Sequence, residues 1–274
     1  MEYRKNDRIT LKIVDCGTDG EGIGKADGFT VFVKDAVIGD VVSVKIMKAK
    51  KNYGYGKLEQ ILEPSPYRVK PLCPSARQCG GCQLQEMSYD QQLVFKEKKI
   101  RENLERIGGF TDIPMEPIIG MDDPWHYRNK AQFPVGRNKE GRLVTGFYAG
   151  RTHVIIENRD CAIGIPQNKE ILDRVLSYME KYHVEPYNET NGKGLIRHIF
   201  IRCGFYTGEL MVCLIINGDT IPHQKALVDS LTEIPGMTSI SLNINRKRSN
   251  VILGEKGRVL WGQNYITDKI GNIS

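Results

Sequence analysis

The chain has 274 residues, of which 40% are hydrophobic, and a formal net charge of +6 at pH 7. This length suits one large domain or two smaller ones with ordinary packed cores. No apolar run approaches the ~18 residues of a membrane helix, and no apolar stretch follows the charged N-terminus. We therefore expect a cytoplasmic protein without a membrane partner, whose seven cysteines are metal ligands or thiols rather than a disulfide framework.

Residues 1–62 predict a small β-barrel. Segments that alternate in polarity or carry β-branched residues recur there between glycines, and the predicted strands are 8–14, 30–34, 40–47 and 55–62. Several short strands in ~60 residues are typical of a closed barrel. The glycine-rich stretch 20–25 lacks the Gly-Lys-Ser/Thr ending of a phosphate loop, so we interpret it as a barrel turn.

Residues 63–87 predict an irregular segment that holds a metal site. Cys73, Cys79 and Cys82 are clustered, and the glycines between the last two allow the backbone to fold closely around a metal. A fourth ligand is expected, and the candidates are Cys16, Cys161, Cys203 and Cys213. Cys161 is predicted because it lies in a loop, whereas the others lie in barrel or apolar strand surroundings. Spacing alone leaves zinc, an iron–sulfur cluster and unligated structural cysteines open.

Residues 88–260 predict an α+β domain with flanking helices. The first helix is expected from Ser88, in a capping box with Gln91, to Gly108-Gly109, with an apolar stripe formed by Leu93, Ile100, Leu104 and Ile107. A second helix is expected from Asn168 and a shorter one after Pro222. The apolar face of the second helix consists of Ile171, Leu172, Val175, Leu176 and Met179.

The strands of this domain predict an antiparallel sheet. They are expected at 129–136, 143–148, 153–156, 196–202, 209–216, 237–245 and 250–260. The fourth and fifth of these strands form a hairpin through Thr207-Gly208.

Basic and aromatic residues are interleaved between Pro124 and Arg151, where Glu140 is the one acid. The basic residues are Arg128, Lys130, Arg137, Lys139, Arg142 and Arg151, and the aromatic ones are Trp125, Tyr127, Phe133, Phe147 and Tyr148. Cations for phosphates beside flat rings for bases are the composition that single-stranded RNA recognition uses. The alternative is a solvated sheet face whose aromatic residues belong to the core.

The predicted RNA contacts form two groups. Those in the basic tract are His126, Arg128 and Lys130, and those in the barrel are Phe32, Lys48, Lys50 and Lys51, with Lys45 beside them. For Arg128 and Lys130 the alternative is that they only pair with nearby acids.

Several motifs resemble the RumA-type 23S rRNA uracil-C5 methyltransferases. The first combines Cys73-Pro74 with the run from Cys79 to Gln85, Tyr89 and Gln92-Leu93. The second runs from Trp125 to Lys130, and the third is Arg159-Asp160-Cys161. The barrel, with Phe32-Val33 after its glycine turn, resembles a TRAM domain, an OB-like RNA-binding module. Two positions depart from the family pattern, Glu86 and the Ile38-Gly39-Asp40 turn, and we interpret both as surface changes.

The resemblance implies a [4Fe-4S] cluster held by Cys73, Cys79, Cys82 and Cys161. It also implies S-adenosylmethionine as methyl donor, bound by a Rossmann-like domain, and a cysteine that attacks the uracil ring. Neither the cofactor motif nor that nucleophile has a counterpart in the 274 residues. We therefore expect residues 261–274 to begin a methyltransferase domain that the chain lacks, and the chain alone to be inactive.

The expected partner is RNA, specifically 23S rRNA, bound by a monomeric protein. Two other functions stay open. One is a non-catalytic, zinc-containing RNA-binding protein, and the other is a tRNA uracil-C5 methyltransferase. The barrel counts against the second, because tRNA-directed members of the family usually lack it.

Overall fold

The structure is a computed structural model that describes residues 3–274, and it confirms an α+β protein with an N-terminal barrel. It divides into two compact units. The first contains the residues up to Arg77 and Cys82–Asp123, and the second contains Gln78–Gly81 and Pro124–Ser274. This division differs from the predicted boundary at residue 88, because the first helix packs within the first unit. No helix in the described residues is long and apolar enough to cross a bilayer.

The first unit contains a closed barrel of five strands. They are β1 (Arg8–Cys16), β2 (Gly22–Ala26), β3 (Phe29–Val33), β4 (Val41–Ala49) and β5 (Tyr53–Glu63). The order is β1-β2-β3-β5-β4, with β1 paired to β4 and a parallel β3–β5 pair. Alternate residues point inward, so Val31 and Val33 of β3 are buried in the barrel core.

The sequence predicts four of these strands and misses β2, because it predicts a turn for the glycine-rich stretch 20–25. Its glycines serve close packing instead. A Cβ on Gly22 would lie 2.8 Å from both the Ala36 carbonyl oxygen and Ile13 Cγ2. Glycine occurs both in turns and in strands that another part of the chain approaches closely. The glycines alone therefore do not distinguish a turn from a strand at this position.

A buried ionic network follows the barrel. The guanidinium of Arg68 donates from Nη2 to Asp40 Oδ2 at 2.6 Å and also pairs with Glu86, which in turn pairs with Arg77. The Asp40 carboxylate accepts backbone N–H bonds from Val37 at 2.7 Å and Ser65 at 2.8 Å. The Asp40 side chain is fully buried and that of Glu86 is 12% exposed, so interpreting these two positions as surface changes was wrong.

The network holds both carboxyl groups in their charged form. Burial alone raises the pKa of Asp40, but the hydrogen bonds from Arg68, Ser65 and Val37 outweigh it and leave that pKa below its ordinary value. Burial likewise raises the pKa of Glu86, and Arg77 and Arg68 lower it further than burial raises it. Lowered pKa values in the folded state mean a stabilisation that is complete above pH ~5, where both groups are also ionised in the unfolded chain. It is lost as the pH falls through the unfolded and then the folded pKa values.

The first helix, α1, spans Tyr89–Arg106 and ends before Gly108-Gly109 as predicted. Ser88 is the N-cap, but its side chain makes no capping bond with any described residue, so the predicted capping box with Gln91 was wrong. The neighbouring Gln92 instead binds the loop before the helix, donating from Nε2 to the carbonyl oxygens of Leu84 and Met87.

The apolar stripe predicted for α1 does not form its buried face. Phe95 is the buried residue of the helix, and it packs in a small cluster with Cys16, Val37 and Met87. Two members of the predicted stripe are exposed, Ile100 by 53% and Ile107 by 83%.

The second unit is built on a seven-stranded sheet of order β12-β11-β10-β9-β6-β7-β8. The strands are β6 (Lys130–Arg137), β7 (Leu143–Tyr148), β8 (Ile155–Glu157), β9 (Ile196–Cys203), β10 (Leu210–Ile216), β11 (Met237–Ile244) and β12 (Lys256–Gly262). All pairs are antiparallel except β10–β11, whose strands are joined through a helix. The antiparallel sheet and the β9–β10 hairpin are thus confirmed, although β12 begins six residues later than predicted.

Two helices complete this unit, α2 (Gln167–Lys181) and α3 (Gln224–Thr232). The predicted apolar face of α2 is confirmed, since all five of its residues are buried. They pack in one core with Phe133 of β6 and Ile199 of β9. The apolar residues of α2 recur with a period of 3.6 residues and form one continuous buried face, so their spacing predicted the helix correctly.

We expect Arg68→Ala to lower the free energy of unfolding of the first unit by about 3 to 5 kcal/mol, because it leaves the buried Asp40 and Glu86 carboxylates without their partner. The loss should be measured as faster hydrogen exchange of the barrel amides. Arg8→Ala is the control, since it removes the exposed Arg8–Glu59 pair and should change the exchange little. Equal effects of the two variants would contradict a structural role of the network.

Candidate functional site

Three aromatic rings lie together on the outer face of the barrel. Phe32 lies between the inward Val31 and Val33 of β3, and it is opposite Tyr55 in the parallel β3–β5 pair. Ring centroids are 5.6 Å apart for Phe32 and Tyr55, 6.1 Å for Phe32 and Tyr53, and 5.9 Å for the two tyrosines. Tyr53 is 39% exposed and Tyr55 43%, so the cluster presents aromatic surface to solvent. We call Phe32, Tyr53 and Tyr55 the aromatic face.

Exposed lysines border the aromatic face. Lys48 is opposite Tyr55 in the β4–β5 pair, and the backbone N–H of Lys50 donates to the Tyr53 carbonyl oxygen at 2.8 Å. Lys48, Lys50 and Lys51 are all exposed, and none of them makes an ion pair within residues 3–274. Rings that can stack on bases beside cations that can approach phosphates form a surface suited to single-stranded nucleic acid.

The sequence predicted Phe32 and the lysines for this surface but missed both tyrosines. The predicted strand began at Tyr55, so Tyr53 fell in a turn. The pattern Tyr53-Gly54-Tyr55-Gly56 held the signal, because alternate residues of a strand share a face. The two glycines face inward, where a Cβ on Gly54 would lie 3.0 Å from the Phe29 ring and one on Gly56 2.1 Å from Val44.

In the second unit, two of the family-like motifs lie side by side. The backbone N–H groups of His126 and Arg128 donate to the carbonyl oxygens of Ala162 and Ile163, at 3.1 and 2.8 Å. The His126 ring lies with Nδ1 2.7 Å from the Gly164 carbonyl oxygen, which can only accept, so Nδ1 carries the proton. The segment with His126 and Arg128 is therefore fixed on the loop that contains Cys161.

Arg128 and Lys130 are not neutralised by acids. Neither makes an ion pair with any residue the structure describes, so the alternative that they only pair with nearby carboxylates gains no support. Lys130 is exposed and Arg128 half-buried. Arg137 of the same tract differs, because its guanidinium binds Glu185 through two bonds of 3.0 and 2.8 Å.

The aromatic residues of the tract serve two purposes. Phe133 is fully buried and Phe147 packs against the same core, with their ring centroids 4.9 Å apart. For these two the core alternative is correct. Tyr127 is 46% exposed and remains available at the surface.

The cysteine motif is divided between the two units. Cys73 and Cys82 belong to the first, and Cys79 and Cys161 to the second. Cys79 forms a β-bridge with Ala149, and the Gly80 N–H donates to the Tyr148 carbonyl oxygen at 3.1 Å. A Cβ on Gly80 would lie 3.1 Å from Gly150 Cα, so a glycine fits this close contact.

A metal site is not formed by the side chains as they are placed. Among residues 3–274, no group of three or more His, Cys, Asp or Glu side chains is arranged to hold a metal ion. One local feature suits a thiolate ligand, because the Gly81 N–H donates to the Cys79 sulfur at 3.4 Å. The four-cysteine site therefore stays a prediction from the sequence.

The remaining three cysteines have thiols that resist deprotonation. Burial raises the pKa of Cys16 to about 12, with the charges of Asp15 and Glu21 adding to the effect. Burial also raises the pKa of Cys203 and of Cys213. Thiols of this kind are poor ligands and poor nucleophiles at neutral pH, in agreement with leaving them out of both roles.

Comparisons with known proteins show a TRAM domain and RNA methyltransferase homologues. Residues 4–58 match the TRAM domain model. An RNA methyltransferase of Halalkalibacterium halodurans is 45% identical over 270 residues, which are 98% of this chain and 59% of that protein. One of Clostridium tetani is 44% identical over 274 residues, which are 100% of this chain and 59% of that protein. The chain thus spans about 59% of the length of these curated relatives.

A solved structure resembles nearly the whole chain. It is the Pyrococcus abyssi tRNA (uracil-54, C5)-methyltransferase in complex with S-adenosyl-L-homocysteine, with a TM-score of 0.69 and 25% identity. The match covers 96% of this chain and 57% of that one. This coverage includes most of the barrel, so a tRNA-directed enzyme has a matching barrel. The expectation that the barrel counts against a tRNA target is therefore not supported. The 23S rRNA target, the cluster and the inactivity of this chain stay predictions.

We expect Tyr55→Ala to weaken binding of a short single-stranded RNA about tenfold, since one base–ring stacking contact is lost. Fluorescence anisotropy with a labelled oligonucleotide measures the change. The control is Tyr67→Ala, which removes a tyrosine of similar exposure (43%) outside the aromatic face. Equal affinity of the two variants would show that the aromatic face does not bind RNA.

Proposed function

We propose that this chain is the RNA-recognition portion of an S-adenosylmethionine-dependent methyltransferase that modifies uracil C5 in RNA. The observation that carries the proposal is the aromatic face with its lysines, on a barrel that matches the TRAM model. The RNA methyltransferase homologues support the reaction class. The ligand in the Pyrococcus abyssi structure supports S-adenosylmethionine as the donor.

The proposed binding surface has two parts. One is the aromatic face with Lys48, Lys50 and Lys51, and the other is the segment with His126, Arg128 and Lys130. The lysines and the arginine of both parts make no ion pair within the described chain. They can therefore approach RNA phosphates without first breaking an ion pair. RNA affinity should accordingly fall steeply as salt rises, because phosphate neutralisation releases counterions.

The proposed target is 23S rRNA, modified in the cytoplasm by a monomeric enzyme. The motif resemblance around Cys79 and Trp125 supports this target. A tRNA is the second candidate, favoured by the tRNA-directed structure that matches 96% of this chain. Competition between a 23S rRNA fragment and a tRNA transcript for the labelled oligonucleotide site distinguishes the two, and tighter binding of the tRNA would reject the first.

We also propose that Cys73, Cys79, Cys82 and Cys161 ligate a [4Fe-4S] cluster. The support comes from their spacing, the motif resemblance and the N–H···S bond at Cys79. Because the side chains as placed do not form a metal site, no step of the proposed reaction relies on the cluster.

Protein purified without oxygen should contain about four iron atoms per chain, and Cys161→Ser should lose them because a cube needs all four thiolates. Iron and acid-labile sulfide are measured chemically. Cys213→Ser is the matched control, since that half-buried thiol lies in β10 and has a raised pKa. Stoichiometric zinc in place of iron would favour the non-catalytic, zinc-containing RNA-binding protein.

We expect the 274 residues alone to transfer no methyl group to RNA. The reaction requires a thiolate, a base for the C5 proton and a donor held in line. The raised pKa values of Cys16, Cys203 and Cys213 support this expectation, as does the antiparallel sheet, which differs from a doubly wound cofactor-binding fold.

Incorporation of tritiated methyl from S-adenosylmethionine into unmodified rRNA and tRNA measures this activity. The Pyrococcus abyssi tRNA (uracil-54, C5)-methyltransferase acting on tRNA serves as the positive control, because this chain covers 57% of it. Incorporation above background by the 274 residues would show that they contain the active site.

A further inference from the structure

The sheet of the second unit opens into a cleft at Pro134. The β6–β9 ladder ends with Pro134 opposite His198, since proline has no N–H to continue it. From Val135 onward, β6 pairs with β7 on its other side. The start of β9 and the turn before it, 185–194, therefore separate from β6 and enclose a cleft of about 740 Å³. This volume lies in the range of small-ligand sites, roughly 300–1,000 Å³.

Aromatic rings line this cleft. The Tyr148 ring stacks on His153 with centroids 4.9 Å apart and an angle of 16° between the planes. The Tyr148 and His198 rings are nearly perpendicular, with their centroids 6.4 Å apart. On the other wall, the Arg197 guanidinium lies over the Tyr187 ring, 4.4 Å from its centroid. The His153 side chain is 51% exposed, so the stack can be extended from solvent.

The cleft wall also holds buried polar atoms without partners. Arg197 is 5% exposed and His198 7%, and both line the cleft. Neither Arg197 Nε nor His198 Nδ1 has a hydrogen-bond partner among the described residues. Burial lowers the pKa of His198 to about 4, with the charge of Arg197 contributing, so its ring is neutral at pH 7 and offers one donor and one acceptor. Buried polar atoms without a hydrogen-bond partner cost free energy and are uncommon in folded proteins.

The cleft is lined by basic residues and by two pairs of basic and acidic side chains. Lys139 and Lys193 lie at its rim. Arg137 pairs with Glu185 across it, and His153 Nδ1 lies 2.5 Å from Glu189 Oε2. A ligand with a flat ring and an attached phosphate matches both the ring-lined walls and the basic residues of the cleft.

We propose that this cleft binds one unstacked base of the RNA, with the base stacked on His153 and the adjoining phosphate at Lys139 and Lys193. The inference rests on the proposed RNA-binding function and adds a base site separate from the aromatic face. Tyr148 is positioned for this role by the cysteine segment, since its carbonyl oxygen accepts the Gly80 N–H. The pocket admits a base once it leaves the stack, which single-stranded loops allow at little cost.

The test uses the 274-residue protein and a short single-stranded RNA carrying 5-iodouridine, which forms adducts with nearby aromatic side chains under ultraviolet light. His153→Asn should weaken binding about tenfold, as loss of one stacking contact does. His183→Asn is the matched control, an exposed histidine outside the cleft, and asparagine tolerates its positive φ of 52°. Adducts mapped by mass spectrometry should fall on Tyr148 or Tyr187, which line the cleft.

Each result decides the inference. Equal affinity of His153→Asn and His183→Asn, with adducts confined to Tyr53 and Tyr55, overturns the base site and leaves the proposed RNA-binding function in place. No RNA binding by the wild-type chain overturns both. Loss of affinity in His153→Asn with adducts in the cleft, while thermal unfolding is unchanged, supports the base site.

Discussion

The buried pairing of Arg68 with Asp40 and Glu86 is the constraint on which the first unit depends. One guanidinium joins the loop after β3, the segment after the barrel and the end of the cysteine-rich stretch. Three charges without water would be costly, but nearly every lone pair and N–H of the group has a partner, including the Asp35 carbonyl oxygen at 2.9 Å from Arg68 Nη2. Residues 73–87 contain no helix or strand. The ion pairs of Glu86 and the burial of Met87 against Phe95 fix the end of this stretch.

The sequence predicted most elements because their patterns follow from burial on one face. The helix α2 was predicted with its buried residues, and the barrel strands with their alternation. The failures have a common cause. Gly22 looked like a turn residue although it permits close packing in β2, and Glu86 looked like a surface residue although Arg68 and Arg77 neutralise it. Both depend on a neighbour that is distant in sequence, and a single sequence does not show which charges or backbones will meet.

The candidate site could be predicted in composition but not in geometry. Phe32 and the lysines of the barrel were found from residue type, whereas Tyr53 and Tyr55 became evident only when β5 was seen to pair with β3. In the second unit, the tract 124–151 mixed core rings with surface cations, and Phe133 and Tyr127 look alike until burial separates them. The structure thus sorts one composition into residues that stabilise the sheet and residues that are available to a ligand.

The Gln78–Gly81 segment has a consequence for how the chain is assembled. It belongs to the second unit although the residues on both sides of it belong to the first, so the chain changes unit at Arg77, Gly81 and Asp123. During synthesis Gly80 leaves the ribosome well before Tyr148, and it must wait for the strand whose carbonyl oxygen it binds. A fragment that starts at Pro124 would lack this contact, and one that ends at Asp123 would carry a segment without its strand. The boundary between the two units therefore crosses the chain three times, and no single cut separates them.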